Sequence, residues 1–324
     1  MSKRRTSVFK KIVIAIVGGF VLLIVLGVIG YFNDKPKSES KPESLTKCFQ
    51  ISGPTQRTTA DQPDDNTQDY QVHIMYVLPS DGTDRQLDTN GTIATSVSAF
   101  ENWLCNQAKG STVKLDTYKG ALDVTFVRLD VTDQTIANGA DLKVNTGNNP
   151  KEYIVLDLRT HLKALGFKDP HKLYAIYYDG SADIDACGEG FATLHTAVAF
   201  LHGHSQGRLD WDCDRNTFTT DLTKPGFWDL VTLHEIVHAL GFVPSCAPHV
   251  YQGSHVADSK YDLMYGQDDT INGNDWDVAE PQKIVLDYNR NDYYDANIPN
   301  CPDLKDSIFL TGGGKQVPLE WNKL

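Results

Sequence analysis

The segment His234-Glu235-Ile236-Val237-His238-Ala239-Leu240-Gly241 has the form H-E-x-x-H-x-x-G. Apolar residues within it and just before it recur at the spacing of a helix, at Leu230, Val231, Leu233, Ile236, Val237 and Leu240. Pro225 is a typical residue of a first helical turn, and Gly241 is a typical helix terminator. The pattern therefore predicts a helix between Pro225 and Gly241.

On such a helix, residues four positions apart lie on one face, so His234 and His238 point the same way. Two imidazoles in that arrangement are a typical pair of zinc ligands, and the Glu that follows the first ligand is placed to act as a general base. We therefore predict a Zn²⁺ site with His234 and His238 as ligands and Glu235 as the catalytic residue. The alternative is a buried helix in which two histidines occur by chance.

A catalytic zinc site needs three protein ligands and an open position. The helix resembles that of the metzincin metallopeptidases, whose motif H-E-x-x-H-x-x-G-x-x-H adds a third His and is followed by a Met in a tight turn. This chain matches the motif as far as Gly241, but Pro244, which cannot bind a metal, stands at the position of the third His. Further on, Asp262-Leu263-Met264-Tyr265 looks like the turn that carries the Met.

Residues 226–266 as a whole look like a group of bacterial secreted metzincin-like proteins. That group shows H-E-x-x-H-x-x-G, an Ala-Pro pair, G-H-V-x-D and D-x-M-Y, and this chain departs from it by Ser254, which separates Gly253 from His255. The resemblance implies that His255 is the third ligand, with His249 or an Asp as alternatives. It also implies that Met264 forms an apolar floor beneath the ligands, and that Asp258 and Asp262 orient a ligand or brace the turn.

The rest of the sequence predicts strands that alternate with helices, which is typical of a layered α/β domain with a mixed sheet. The resemblance implies a metzincin or zincin-like catalytic domain with a twisted mixed sheet, an active-site helix and a loop-rich C-terminal subdomain. Predicted strands are 72–78, 113–118, 122–129, 173–178 and 192–201, the last near the sheet edge, and further helices are 92–108, 152–165 and 281–288.

Residues 12–32, IVIAIVGGFVLLIVLGVIGYF, carry no charge and are long enough to cross a bilayer as one helix. Basic residues lie only before this run, which places a cytoplasmic tail, 1–11, inside and the remainder outside the plasma membrane. A cleaved signal peptide is the alternative, but the apolar run is long and no A-x-A site follows it. We predict a transmembrane signal anchor at 12–32, a flexible polar stalk at 33–67 and an extracytoplasmic zinc metallopeptidase domain at 68–324.

Charge and cysteine content limit the partners and the compartment. The net charge is −12, although all charged residues within 1–32 are basic. The remainder of the chain is therefore strongly acidic, which argues against nucleic acid as a partner. Six cysteines without a C-x-x-C pair favour up to three disulfide bonds outside the cytosol, with free buried thiols as the alternative. Asp-rich loops at 179–185, 210–214 and 268–277 suggest Ca²⁺ as a second cofactor, against the simpler explanation of solvated acids.

Together these features predict a membrane-anchored extracytoplasmic zinc-dependent endopeptidase. Its partners are a peptide or protein substrate and the lipid bilayer around residues 12–32. The departure at Pro244 keeps an alternative open, a catalytically silent metzincin-like surface module that binds peptide or cell-wall polymer.

Overall fold

A five-stranded sheet lies at the centre of the protein, as seen in a computed structural model. The structure describes residues 47–66, 69–138, 150–184, 186–202, 213, 217–266, 283–319 and 321. The predicted cytoplasmic tail and membrane anchor lie outside these residues. Within the described ranges, no helix combines the length and the apolar character that a bilayer crossing requires.

The strands of this sheet are ordered β4-β1-β5-β7-β6. Four of them run parallel, and β6 pairs antiparallel with β7 at one edge. Strands β1 and β5 are buried along their whole length, as expected for parallel strands that are covered on both faces. The bounds are β1 Gln71–Leu78, β4 Val124–Arg128, β5 Lys172–Tyr178, β6 Gly188–Phe191 and β7 Thr196–Phe200, and the short strands β2 Thr117–Tyr118 and β3 Ala121–Leu122 form a separate hairpin.

Helices cover the two faces of the sheet, which confirms the predicted α/β class. Helices α1, Thr92–Gln107, and α4, Phe227–Ala239, pack in one apolar cluster with residues of β1 and β5. Helices α2, Asp133–Ala137, and α3, Pro150–Ala164, belong to the cluster on the other face. A second β-hairpin, β8 Val250–Tyr251 with β9 His255–Val256, follows α4.

The predicted helix between Pro225 and Gly241 is confirmed as α4. Its first turn is capped by Asp229, whose Oδ2 accepts a hydrogen bond from the backbone N–H of Gly226 at 2.7 Å. Gly241 follows the helix with φ of 87°, a left-handed conformation that glycine adopts without steric cost. Nearly every residue of α4 is buried, including His234, and His238 is partly buried.

The C-terminal helix predicted at 281–288 is wrong over its described part. Val285 forms a parallel bridge with Asp262, and only a short 3₁₀ turn follows at Tyr288–Arg290. Ile284 and Leu286 are both buried. Their spacing of two residues is the period of an extended chain, and this period decides the local structure.

The strand predicted at 192–201, near the sheet edge, is confirmed in part. This segment contains a 3₁₀ turn, Ala192–Leu194, and strand β7, which lies between β5 and β6. The true edge strand is β6, whose sequence is GEGF. Glycine is rare in strands because it has no side chain to pack, so β6 gives no propensity signal. Of the strand predicted at 113–118, only Thr117–Tyr118 is a strand, and residues 113 and 115 form isolated bridges.

The second half of the predicted stalk belongs to the folded domain. Arg57 forms ion pairs with Asp84 and Asp88, and Thr58 bridges to Thr125 beside β4. Phe49 and Ile51 pack against the core. The folded domain therefore begins before residue 68. Residues 47–66 belong to it because their apolar and charged side chains contact the rest of the domain.

Disulfide bonds join all six cysteines, as predicted. The pairs are Cys48–Cys105, Cys187–Cys213 and Cys246–Cys301. The alternative of free thiols is therefore wrong. Cys187 directly precedes β6, and Cys246 lies in the loop between α4 and the β8–β9 hairpin.

Candidate metal centre

Helix α4 presents His234 and His238 side by side, with ring centroids 4.6 Å apart. Each ring is fixed by its Nδ1 atom. Nδ1 of His234 lies 2.6 Å from the carbonyl oxygen of Leu263, and Nδ1 of His238 lies 3.0 Å from that of Phe242. A carbonyl oxygen only accepts hydrogen bonds, so each Nδ1 carries the proton and each Nε2 presents a lone pair.

The β8–β9 hairpin brings His255 to the same point. Its Nδ1 lies 2.9 Å from the carbonyl oxygen of Gln252, which again leaves Nε2 as the acceptor. Nε2 of His255 lies 3.2 Å from Nε2 of His238. The ligand atoms of the three histidines all lie within 4.8 Å of one another. The structure therefore directs three imidazole lone pairs toward one point.

These three side chains fit a zinc ion. Neutral Nε2 atoms with a protonated Nδ1 are the usual zinc-binding form of histidine. Ligands of a tetrahedral zinc ion lie roughly 2.1 Å from the metal and therefore about 3.4 Å apart. The 3.2 Å between His238 and His255 is close to that spacing. Two acceptor atoms at this distance repel each other, and a shared cation removes the repulsion.

Glycines shape the hairpin around His255. A Cβ atom on Gly266 would lie 2.2 Å from Cγ of His255, so only glycine leaves room for the imidazole ring. Ser254 adopts φ of 63°, and its carbonyl oxygen accepts a hydrogen bond from the backbone N–H of Val243 at 2.9 Å. The serine inserted before His255 is thus accommodated in the turn and ties the hairpin to the segment that follows α4.

The turn around Met264 connects two of the histidines. The carbonyl of Leu263 holds His234, while that of Met264 accepts from the N–H of Val256, next to His255, at 2.8 Å. Met264 itself is fully buried. The turn that sequence resemblance marked as a Met-turn is therefore the part of the backbone that positions the histidines from α4 and from the hairpin.

Asp262 stabilises this turn and is itself fully buried. Its carboxylate accepts hydrogen bonds from the backbone N–H groups of Met264 and Tyr288 and from the hydroxyl of Tyr293. Burial raises the pKa of Asp262 to about 7, and the three hydrogen bonds only partly offset it. Asp262 is not a member of the three-histidine cluster.

Glu235 is buried where helix α4 meets the edge strand β6. A Cβ atom on Gly188 would lie 2.6 Å from Oε1 of Glu235, and one on Gly190 would lie 2.1 Å from its carbonyl oxygen. The G-x-G of β6 therefore lets the strand approach Glu235 and the Cβ atom of His238 more closely than any side chain would allow. Sequence reasoning missed these two glycines, for which the only signal was the G-x-G spacing.

The structure places the alternative ligand His249 in a different cluster. Its Nδ1 lies 3.0 Å from Oδ2 of Asp292, and Asp258 lies beside this pair. Asp292, which sequence reasoning did not select, follows His249 by 43 residues. His249 and Asp258 thus belong to a different group from His234, His238 and His255.

Of the loops suggested for Ca²⁺, only 179–185 lies largely within the described residues. The carboxylate of Asp179 forms hydrogen bonds with Arg85, His202 and Tyr76. Burial raises the pKa of Asp179, but these hydrogen bonds outweigh it and lower the pKa to about 2. The guanidinium group of Arg85 is therefore the cationic partner of Asp179. Most of loop 210–214 and all of loop 268–277 lie outside the described residues.

No family model and no curated protein matches this chain. Among solved structures it is similar to catalytically inactive OgpA from Akkermansia muciniphila, which was crystallised with an O-glycopeptide substrate, glycodrosocin. The match has 12% sequence identity and a TM-score of 0.29, and it covers 60% of this chain and 52% of OgpA.

Proposed function

We propose that this protein is a zinc-dependent endopeptidase whose ligands are His234, His238 and His255. The observation that carries the proposal is the convergence of three imidazole lone pairs beside a helix that also carries Glu235. All three Nδ1 atoms are engaged by backbone carbonyls, so the rings are already held in the zinc-binding tautomer. Such preorganisation is typical of a metal site and has no use in an ordinary apolar core.

When bound, zinc would acidify water and polarise a peptide carbonyl. Glu235 would take the proton from the attacking water and pass it to the leaving amine. Its position directly after His234 on α4, against Gly188 of the edge strand β6, supports this role. Met264 would form the floor of the site, and Asp262 would hold the turn.

We place the substrate along β6. Strand β6 forms the edge of the sheet next to Glu235, and an extended peptide can pair with such an edge through backbone hydrogen bonds. The membrane part of the proposal rests on the sequence alone. Residues 12–32 would anchor the chain in the plasma membrane, and the three disulfide bonds favour an extracytoplasmic location for the domain.

The test compares the wild-type chain with Glu235→Gln, which keeps the size of the side chain but removes its basicity. Both proteins, at full length, are incubated with a peptide library, and new termini are identified by mass spectrometry. Zinc content is measured on the same samples. We expect the variant to retain zinc and to lose about 10²- to 10⁴-fold in cleavage rate, the usual contribution of a positioned general base.

Two results contradict the proposal in different ways. Zinc binding without cleavage of any peptide by the wild type would favour the silent binding module. Equal cleavage by both proteins would remove Glu235 from its role.

A further inference from the structure

A second cluster of potential metal ligands, made of other residues than the three histidines, lies at the base of the β8–β9 hairpin. It consists of His249, Asp258 and Asp292, whose ligand atoms lie within 4.8 Å of one another. Nδ1 of His249 lies 3.0 Å from Oδ2 of Asp292 and 4.0 Å from Oδ2 of Asp258. These distances lie on either side of the roughly 3.4 Å that separates ligands of a tetrahedral zinc ion.

Asp258 is the unusual member of this cluster. Both of its carboxylate oxygens are buried, and neither accepts a hydrogen bond from any other residue that the structure describes. A buried carboxylate without donors is costly, because it has lost its water without gaining a partner. A cation that binds between Asp258 and its neighbours would satisfy both oxygens.

The local charge also favours a cation. The side chain of Asp292 is fully buried, and Asp287 adds a third carboxylate close to Asp258. Asp287 is satisfied by the backbone N–H groups of residues 291–294. One half-exposed histidine thus faces Asp258 and Asp292, and even when protonated it balances only one of the two charges.

We infer that His249, Asp258 and Asp292 form a second Zn²⁺ site, separate from the three-histidine centre. The ligand set of one imidazole and two carboxylates selects the metal, because Ca²⁺ is bound by oxygen atoms, whereas Zn²⁺ accepts both nitrogen and oxygen. The side chain of His249 is 42% exposed, which gives the ion a route from solvent.

The position of this site in the hairpin indicates what a metal there would do. His249 directly precedes β8, and Asp258 lies two residues after β9. The carbonyl of His249 accepts the backbone N–H of Ala257 at 3.1 Å, so the two ends of the hairpin meet at this point. His255 lies within the same hairpin. A metal bound by His249 and Asp258 would therefore clamp the hairpin that carries His255 to the segment of Asp292.

The test counts zinc ions per chain. Full-length protein is stripped with a chelator, and Zn²⁺ alone is titrated back by calorimetry, with elemental analysis after gel filtration. We expect two equivalents for the wild type, one for Asp258→Asn and Asp292→Asn, one for His255→Ala, and none for His255→Ala combined with Asp258→Asn. Asp130→Asn serves as the matched control, since Asp130 is 92% exposed, and it should retain two equivalents.

The inference is overturned if Asp258→Asn binds as much zinc as the wild type. In that case His249 and Asp292 form only an ion pair. Zinc retained at the three-histidine centre, together with an unchanged circular dichroism spectrum, shows that Asp258→Asn is folded. Failure of the proposed peptidase centre has a different signature, because His255→Ala would then leave the zinc content unchanged while Asp258→Asn still lowers it.

Discussion

Two of the polar clusters that the structure describes, one around Lys172 and the other formed by His234, His238 and His255, differ in how their charges are balanced. In the first, the ammonium group of Lys172 lies within 2.8 Å of the carboxylates of Asp61, Asp64 and Asp116. Asp116 also lies 2.6 Å from Nδ1 of His73. Every close contact in this Lys172 cluster joins a donor to an acceptor.

The three-histidine cluster contains a contact of another kind. Nε2 of His238 and Nε2 of His255, both acceptors, lie 3.2 Å apart. Residue types alone do not separate the two clusters, because Asp61, His73, Asp116 and Asp123 also lie close enough together to bind a metal. The difference is that the chain supplies its own cation, Lys172, in the first cluster. Whether the atoms around a histidine are donors or acceptors therefore indicates a metal site better than the types of the neighbouring residues do.

The largest expected effect follows from truncating one histidine in each cluster. His238→Ala should lower zinc affinity by more than about 100-fold and abolish peptide cleavage, since even the loss of a partner outside the ligands costs 10- to 100-fold. His73→Ala should leave both zinc content and cleavage intact, because its cluster holds Lys172 instead of a metal. Loss of zinc in His73→Ala, measured by elemental analysis, would show that the distinction between the clusters is false.

The second prediction concerns Lys172, the cation of the first cluster. Lys172→Met should lower the free energy of unfolding by about 3–5 kcal/mol, because Asp116 and its neighbours become buried charges without a partner. The matched control is Lys114→Met. Lys114 pairs with Asp69 at 2.8 Å, but this pair is partly exposed, so the change should cost less than about 1 kcal/mol. Urea unfolding measures both, and equal effects would mean that the Lys172 cluster contributes no more than a surface pair.

The third prediction concerns metal removal. If zinc binds only the folded chain, zinc at 100 times its dissociation constant stabilises the protein by about 2.7 kcal/mol. A chelator should remove this increment from the wild type and from Lys172→Met alike, since the two clusters involve separate groups and their effects should add. Thermal unfolding with and without chelator measures the increment. A chelator effect that grows in Lys172→Met would show that the ion also binds the carboxylates that Lys172 leaves without a cation.

The sequence predicted the three-histidine centre better than it predicted the Lys172 cluster. His234 and His238 lie on one helix turn, and apolar periodicity was enough to place α1, α3, α4, β1 and β5. His255 was found only through resemblance, since its position depends on a hairpin. The Lys172 cluster joins His73 to Asp116, 43 residues later, and Lys172 follows Asp116 by a further 56 residues. Such contacts arise from the pairing of β1 with β5, and no local pattern encodes them.

The smallest expected effect is a difference in pH dependence. Burial lowers the pKa of His73, but its hydrogen bond to Asp116 and the nearby carboxylates outweigh this and raise it. The folded state therefore binds this proton more tightly than the unfolded state does. The resulting stabilisation is complete below pH ~6.5, the unfolded value, and is lost as pH rises through the folded value. Zinc binding has the opposite sign, because protons compete with zinc for imidazole nitrogen and weaken binding as pH falls below ~6.5.

Unfolding free energies of the wild type and His73→Gln, measured in urea with chelator between pH 5.5 and 8.5, separate the two trends. The wild type should lose stability more steeply than His73→Gln as pH rises, while zinc affinity, titrated on both proteins, should rise over the same range. Parallel stability curves would mean that the pKa of His73 is not raised. The Lys172 cluster would then owe its stability to the lysine and the carboxylates alone, and His73 would serve it only as a neutral donor.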